Sequence, residues 1–103
     1  MERIEGLLEK FALSVQYPDV SGFELLELLD MRSKIAEQEY NLTEEERRKL
    51  EEADRCFLRN IRKIYTNIAQ VANLVEVREK LGVSPSHWWW YLEELVGLEK
   101  APA

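Results

Sequence analysis

Apolar residues recur at Leu50, Phe57, Ile61, Ile64, Ile68 and Ala72, at intervals of seven, four, three, four and four. A repeat close to 3.6 keeps all these side chains on one face of an α-helix and would divide them between the two faces of a strand. The seam predicts a single long helix from about Thr43 to about Ala72. At 1.5 Å per residue it would span roughly 40 Å, more than the width of a domain of this size. Such a helix projects, bends or pairs with a second copy of itself.

The rest of the chain follows the same grammar. Ile4, Leu7, Leu8, Phe11, Ala12 and Val15 lay one stripe along a first helix, which Y17-P18 ends because a proline biases its predecessor away from helical geometry. Ser21 with Glu24, and Thr43 with Glu46, have the spacing of a capping box, in which side chains satisfy the free amides of a helix start. The helix entered at Ser21 carries Leu25, Leu26, Leu28, Leu29, Met31, Ile35 and Ala36, an apolar surface broad enough to need neighbours on more than one side. It is the candidate central helix. A short helix over Val75–Leu81 is closed by Gly82, and a last one opens with Ser84 as cap and Pro85 in its first turn and closes at Gly97. No stretch alternates apolar and polar residues as a half-buried strand would. The expected fold is all-α: an irregular bundle of four main helices plus a short connecting helix, with a long third helix. It forms a single helical domain over residues 1–103, frayed at 98–103.

Composition narrows the partners. A chain of 103 residues supports one core. Its formal charge of −6 works against broad attraction to nucleic acid or anionic lipid. M1-E2-R3-I4-E5 lacks the basic start of a signal peptide, and no run approaches 18 apolar residues, so a cytoplasmic protein without membrane contact is expected. A single cysteine, Cys56, rules out an internal disulfide and suits a reducing compartment.

The chemistry of catalysis is missing at the level of residue types. There is one His and one Cys, on different predicted helices, and the glycines are isolated rather than gathered into a phosphate-binding loop. Neighbouring acids such as Glu51 and Glu52 or Glu93 and Glu94 have no histidine at metal-ligand spacing. The expectation is a protein that is not an enzyme, with no cofactor and no metal.

The stretch S84-P85-S86-H87-W88-W89-W90-Y91-L92 puts every tryptophan of the chain on consecutive positions. On a helical wheel, with about 100° per residue, Trp88 clusters with Tyr91, Leu92, Leu95 and Val96 as a core face. Trp89 falls on the flank and Trp90 opposite, above Glu93, Glu94 and Gly97. Two readings follow. Trp88 and Trp89 are core and Trp90 folds over a groove beside a neighbouring helix; or Trp89, Trp90, Tyr91 and His87 form a contact surface for another protein or a second copy, Trp being the residue most enriched at binding hot spots.

Residues 75–95 also carry V75-E76-V77-R78-E79-K80-L81-G82-V83-S84-P85-S86, with Leu81, Val83, Trp88 and Leu92 as apolar positions. This segment resembles the helix-turn-helix of bacterial transcription regulators. The resemblance implies two helices about a tight turn, and a DNA-binding regulator. Arg78 stands where that family usually has a small residue, and Ser86, His87, Trp89 and Trp90 stand where it reaches base edges. Arg48, Arg55, Arg59, Arg62 and Lys63, on the face opposite the apolar seam, are the possible phosphate contacts; the alternative is a solvated helix face. The sequence thus favours a small interaction module, an adaptor, antitoxin-like or regulatory subunit, over a DNA-binding regulator.

Overall fold

The computed structural model describes residues 3–100, with side chains through Gly97. Among them the chain forms six α-helices: α1 (Ile4–Ser14), α2 (Gly22–Ala36), α3 (Glu44–Arg59), α4 (Ile61–Ala69), α5 (Leu74–Leu81) and α6 (Leu92–Lys100). Single 3₁₀ turns stand at Glu39–Asn41 and Trp88–Trp90, and no strand occurs among the described residues. The all-α bundle is as the periodicity predicts.

Both capping boxes form. Ser21 Oγ accepts from the Glu24 amide at 3.2 Å and the Glu24 carboxylate accepts from the Ser21 amide at 3.3 Å. Thr43 and Glu46 exchange the same pair of bonds at 3.1 and 2.9 Å. At the end of α5, Gly82 takes the left-handed conformation (φ 62°, ψ 40°), and the amides of Gly82 and Val83 reach back to Glu79 and Arg78. A residue without Cβ adopts that conformation at no steric cost.

α2 is the central helix, packed against α1, α4 and the tryptophan turn, while α1 also lies on α3 and α4 on α6. Leu7, Leu8, Phe11, Leu25, Leu28, Leu29, Ile35, Phe57, Ile64 and Ile68 meet in one buried cluster, in which the rings of Phe11 and Phe57 stack with centroids 6.4 Å apart. Each such side chain contributes ~1.5–3 kcal/mol by leaving water. α2 and α4 come closest at Gly22: a Cβ there would collide with the Asn67 carbonyl oxygen and the Val71 side chain.

Two predicted elements are corrected. The long third helix ends at Asn60 (φ −102°, ψ 13°) and restarts as α4, and Ala72 lies beyond the end of α4. Asn60 leaves helical geometry while its side-chain amide donates to the Val15 carbonyl at 2.8 Å, satisfying the orphaned C-terminus of α1. Cys56 Sγ sits 3.5 Å from the same carbonyl, a partly buried thiol. The bend folds a seam too long for the molecule into a body measuring 37 × 33 × 26 Å.

The last helix, second, begins at Leu92, not at Ser84, and runs through Gly97 to Lys100. Ser84 Oγ bonds within its own turn, to the Ser86 amide and hydroxyl, instead of capping a helix. Residues 82–91 therefore separate α5 from α6, where the helix-turn-helix resemblance implies a helix from Ser84 onward. Residues 101–103 of the expected frayed tail lie outside the described residues.

Candidate interaction surfaces

The tryptophans occupy one 3₁₀ turn, in which consecutive side chains leave the axis about 120° apart. The Trp88 ring stands edge-on to Phe57 of α3 at 5.6 Å and to Trp89 at 5.5 Å. Trp89 and Trp90 are only 3% and 2% exposed, and both indole N–H groups donate to Ser33 Oγ, each at 2.9 Å. His87 Nδ1 lies 3.2 Å from the same oxygen.

That convergence constrains the hydrogens. A hydroxyl has two acceptor lone pairs and one proton, and indoles only donate. With two indoles on the Ser33 lone pairs, a hydrogen bond between Ser33 and His87 requires the hydroxyl to donate to Nδ1 and the imidazole hydrogen to sit on Nε2.

Arg32 covers the other side of this cluster. Its guanidinium lies 4.2 Å above the Trp89 ring, on which His87 also stacks at 4.6 Å. Arg32 is 3% exposed and makes twin bonds of 2.9 and 3.1 Å to Asp54, plus an ion pair of 3.0 Å to Glu39. One guanidinium nitrogen, Nη1, is buried without a protein partner. Burial pushes the Asp54 carboxyl upward; the Arg32 hydrogen bonds and charge oppose this, while Glu39 and Glu51 add to it.

Arg78 clasps the turn from α5. Its Nη1 donates to the Trp90 carbonyl at 2.9 Å and to Glu93 at 2.7 Å, and its guanidinium lies 4.0 Å over the Tyr91 ring. The hydrogen bond to Glu93, more than the charges of Glu93 and Tyr91, raises the Arg78 pKa against the opposing cost of burial. The departure from the helix-turn-helix pattern at this position is the group that holds the turn to α5 and α6.

The predicted contact residues are thus placed inward. Trp90, exposed on the helical wheel, is buried because the segment is not an α-helix, and Trp89 is buried with it; His87 and Tyr91 are half-buried. The five cations of the predicted stripe are exposed but divided between two helices by the break at Asn60. Arg48 pairs with Glu44 at 3.1 Å and Lys63 pairs with Asp19; Arg55 and Arg59 lie on α3 and Arg62 on α4.

An open apolar surface lies elsewhere. Between the end of α1 and the first half of α2 runs a groove of about 380 Å³, lined by Leu13, Ser14, Tyr17, Val20, Glu24, Leu25, Glu27, Leu28 and Met31. Leu25 and Leu28 are buried in the core, whereas Leu13 and Tyr17 are 60% and 65% exposed. Phe23, in the first turn of α2, is 63% exposed as well. Asn67 donates to the carbonyls of Pro18 and Val20 at 3.1 and 3.4 Å and so pins the connecting loop. The sequence signal was a negative one: Leu13 falls off the α1 stripe and Phe23 off the α2 face.

Among the described residues no group of three or more His, Cys, Asp or Glu side chains is placed to hold a metal ion, and no helix is long and apolar enough to cross a membrane. No protein-family model, curated protein or solved structure matches the chain.

Proposed function

We propose that this protein is a small helical interaction module, an adaptor or regulatory subunit, whose docking face is the α1–α2 groove and not the tryptophan turn. One observation carries the reading: Leu13 and Tyr17 hold large apolar side chains in water along a groove whose preformed floor is core. Contiguous exposed apolar surface costs solubility and marks contact sites, whereas single exposed residues are ordinary. The tryptophans serve this role indirectly. They anchor α2, and α2 supplies one wall of the groove.

The test is a photo-reactive phenylalanine analogue in place of Tyr17, compared with the same analogue in place of Tyr40, which is exposed on the 3₁₀ turn before α3. The expected result is a discrete protein adduct from position 17 in an extract of the native host, and none from position 40. Equal labelling from both positions, or none from either, would refute the groove as the docking face.

A further inference from the structure

We infer that the occupant of the groove is a cationic amphipathic helix of another protein, an inference that rests on the interaction-module reading. The walls are unlike. Leu13 and Tyr17 make one side apolar, whereas Glu24 and Glu27, one helical turn apart on α2, make the other acidic. No lysine or arginine is among the lining residues. Glu24 binds the Ser21 amide through one oxygen yet remains exposed, and Glu27 is exposed. A trough between two helices accepts a third in the helix-in-groove mode, its apolar stripe on the floor. Lysines or arginines along the flank facing α2 complement the two carboxylates, and an acidic flank is repelled. The loop pinned by Asn67 keeps the trough formed before the partner arrives, which lowers the ordering cost of binding.

A second copy fits less well. Two chains of formal charge −6 repel. The exposed cationic face, Arg55 and Arg59 on α3, has one exposed apolar anchor, Leu58, and the helix ends at the next turn, Asn60.

The probe is a synthetic amphipathic helix of Leu and Lys, beside its counterpart with every Lys replaced by Glu, titrated into 15N-labelled protein. Wild type is compared with Glu27→Lys in the groove and with Glu79→Lys on α5, exposed and away from it. The Leu/Lys helix is expected to shift amides around Leu13, Tyr17 and Glu27. Its affinity should fall about fivefold or more in Glu27→Lys and less than about twofold in Glu79→Lys, since one carboxylate is replaced by a repelling cation. The Leu/Glu helix should bind Glu27→Lys better than wild type. Equal losses in the two variants, shifts spread over all acidic faces, or equal binding of both helices overturns the inference. Cross-linking from position 17 together with such a result leaves the docking face standing and removes only the partner's chemistry; absence of cross-linking removes both. A molecular mass that rises with concentration and returns to monomer in Leu58→Ser makes the occupant a second copy and overturns it as well.

Discussion

Replacing Ser33 by alanine removes one oxygen, and the structure makes that oxygen the acceptor for two buried indole N–H groups. The residues that donate are 3% and 2% exposed, which shields the indoles from water that would replace the hydroxyl. The void left by one oxygen is smaller than a water needs. An unpaired buried donor costs ~1–3 kcal/mol, which puts Ser33→Ala at about 2–6 kcal/mol of destabilisation. The better helix propensity of alanine returns only about half a kcal/mol. Against a total stability of about 5–15 kcal/mol for a domain this size, the loss is large. Urea unfolding followed by tryptophan emission reads it directly, because every tryptophan of the chain lies in this turn. In a Trp90→Phe background, where one donor is already gone, the same Ser33→Ala change should cost about 1–3 kcal/mol less. A cost below about 0.5 kcal/mol, or simple additivity of the two substitutions, would refute the reasoning, since it would mean that Ser33 behaves as an ordinary surface serine.

Four further outcomes follow from the same contacts. Arg32→Met leaves Asp54 and Glu39 without their cation and should destabilise by about 3–5 kcal/mol, whereas Arg32→Met combined with Asp54→Leu should recover most of it, as judged by urea midpoints. Gly22→Ala should lose about 1–3 kcal/mol through collision with α4, while Gly6→Ala, on α1 with open space around it, should gain about 0.5–1 kcal/mol; thermal unfolding of the pair decides. Asp54 is raised in the folded protein, first by burial, so between the ordinary aspartate value and the raised one the folded state binds more protons than the unfolded state. The stability of wild type minus that of Asp54→Asn should therefore fall as pH rises through this window and be flat above it. Long-range 15N–1H spectra of the imidazole should find the hydrogen of His87 on Nε2, and a hydrogen on Nδ1 would contradict the assignment of the Ser33 proton.

What the sequence revealed was local in its causes. Ser21 with Glu24, Thr43 with Glu46, and Gly82 each act within a few residues, and each performs the role its spacing predicts. The apolar stripes of the first two helices likewise face the core, Leu7, Leu8, Phe11, Leu25, Leu28, Leu29 and Ile35 being buried and the rest of the stripes at least packed against them. The break at Asn60 has a distant cause: its side chain serves the Val15 carbonyl, 45 residues earlier. Asn60 also lies off the seam, so Phe57 and Ile61 keep their spacing across the break and the pattern continues where the helix does not. The tryptophan turn is decided at a distance too, by Ser33, which is 56 and 57 residues before the indoles it accepts from. Arg32 and Ser33 give no signal as organisers, because serine and arginine on predicted helices read as solvated, whereas Arg78 shows only as a departure from the helix-turn-helix pattern.

The adjacency of the three tryptophans has its answer in how the turn is enclosed. A helix lying on a domain hides one stripe, and consecutive residues 100° apart cannot share it. A short turn inserted between helices has no outer face of that kind. Here α2 closes one side through Arg32 and Ser33, α3 another through Phe57, and α5 reaches across with Arg78. Trp89 and Trp90 are thereby sent into protein, while Trp88, the centre of the core face on the helical wheel, is only half-buried. Consecutive tryptophans become a means of gathering helices from distant parts of the sequence around one point, at the cost that both buried N–H groups need an acceptor. A single serine meets that need, and with Trp89 and Trp90 committed inward the surface we propose for recognition is the groove of Leu13, Tyr17 and the acidic edge of α2.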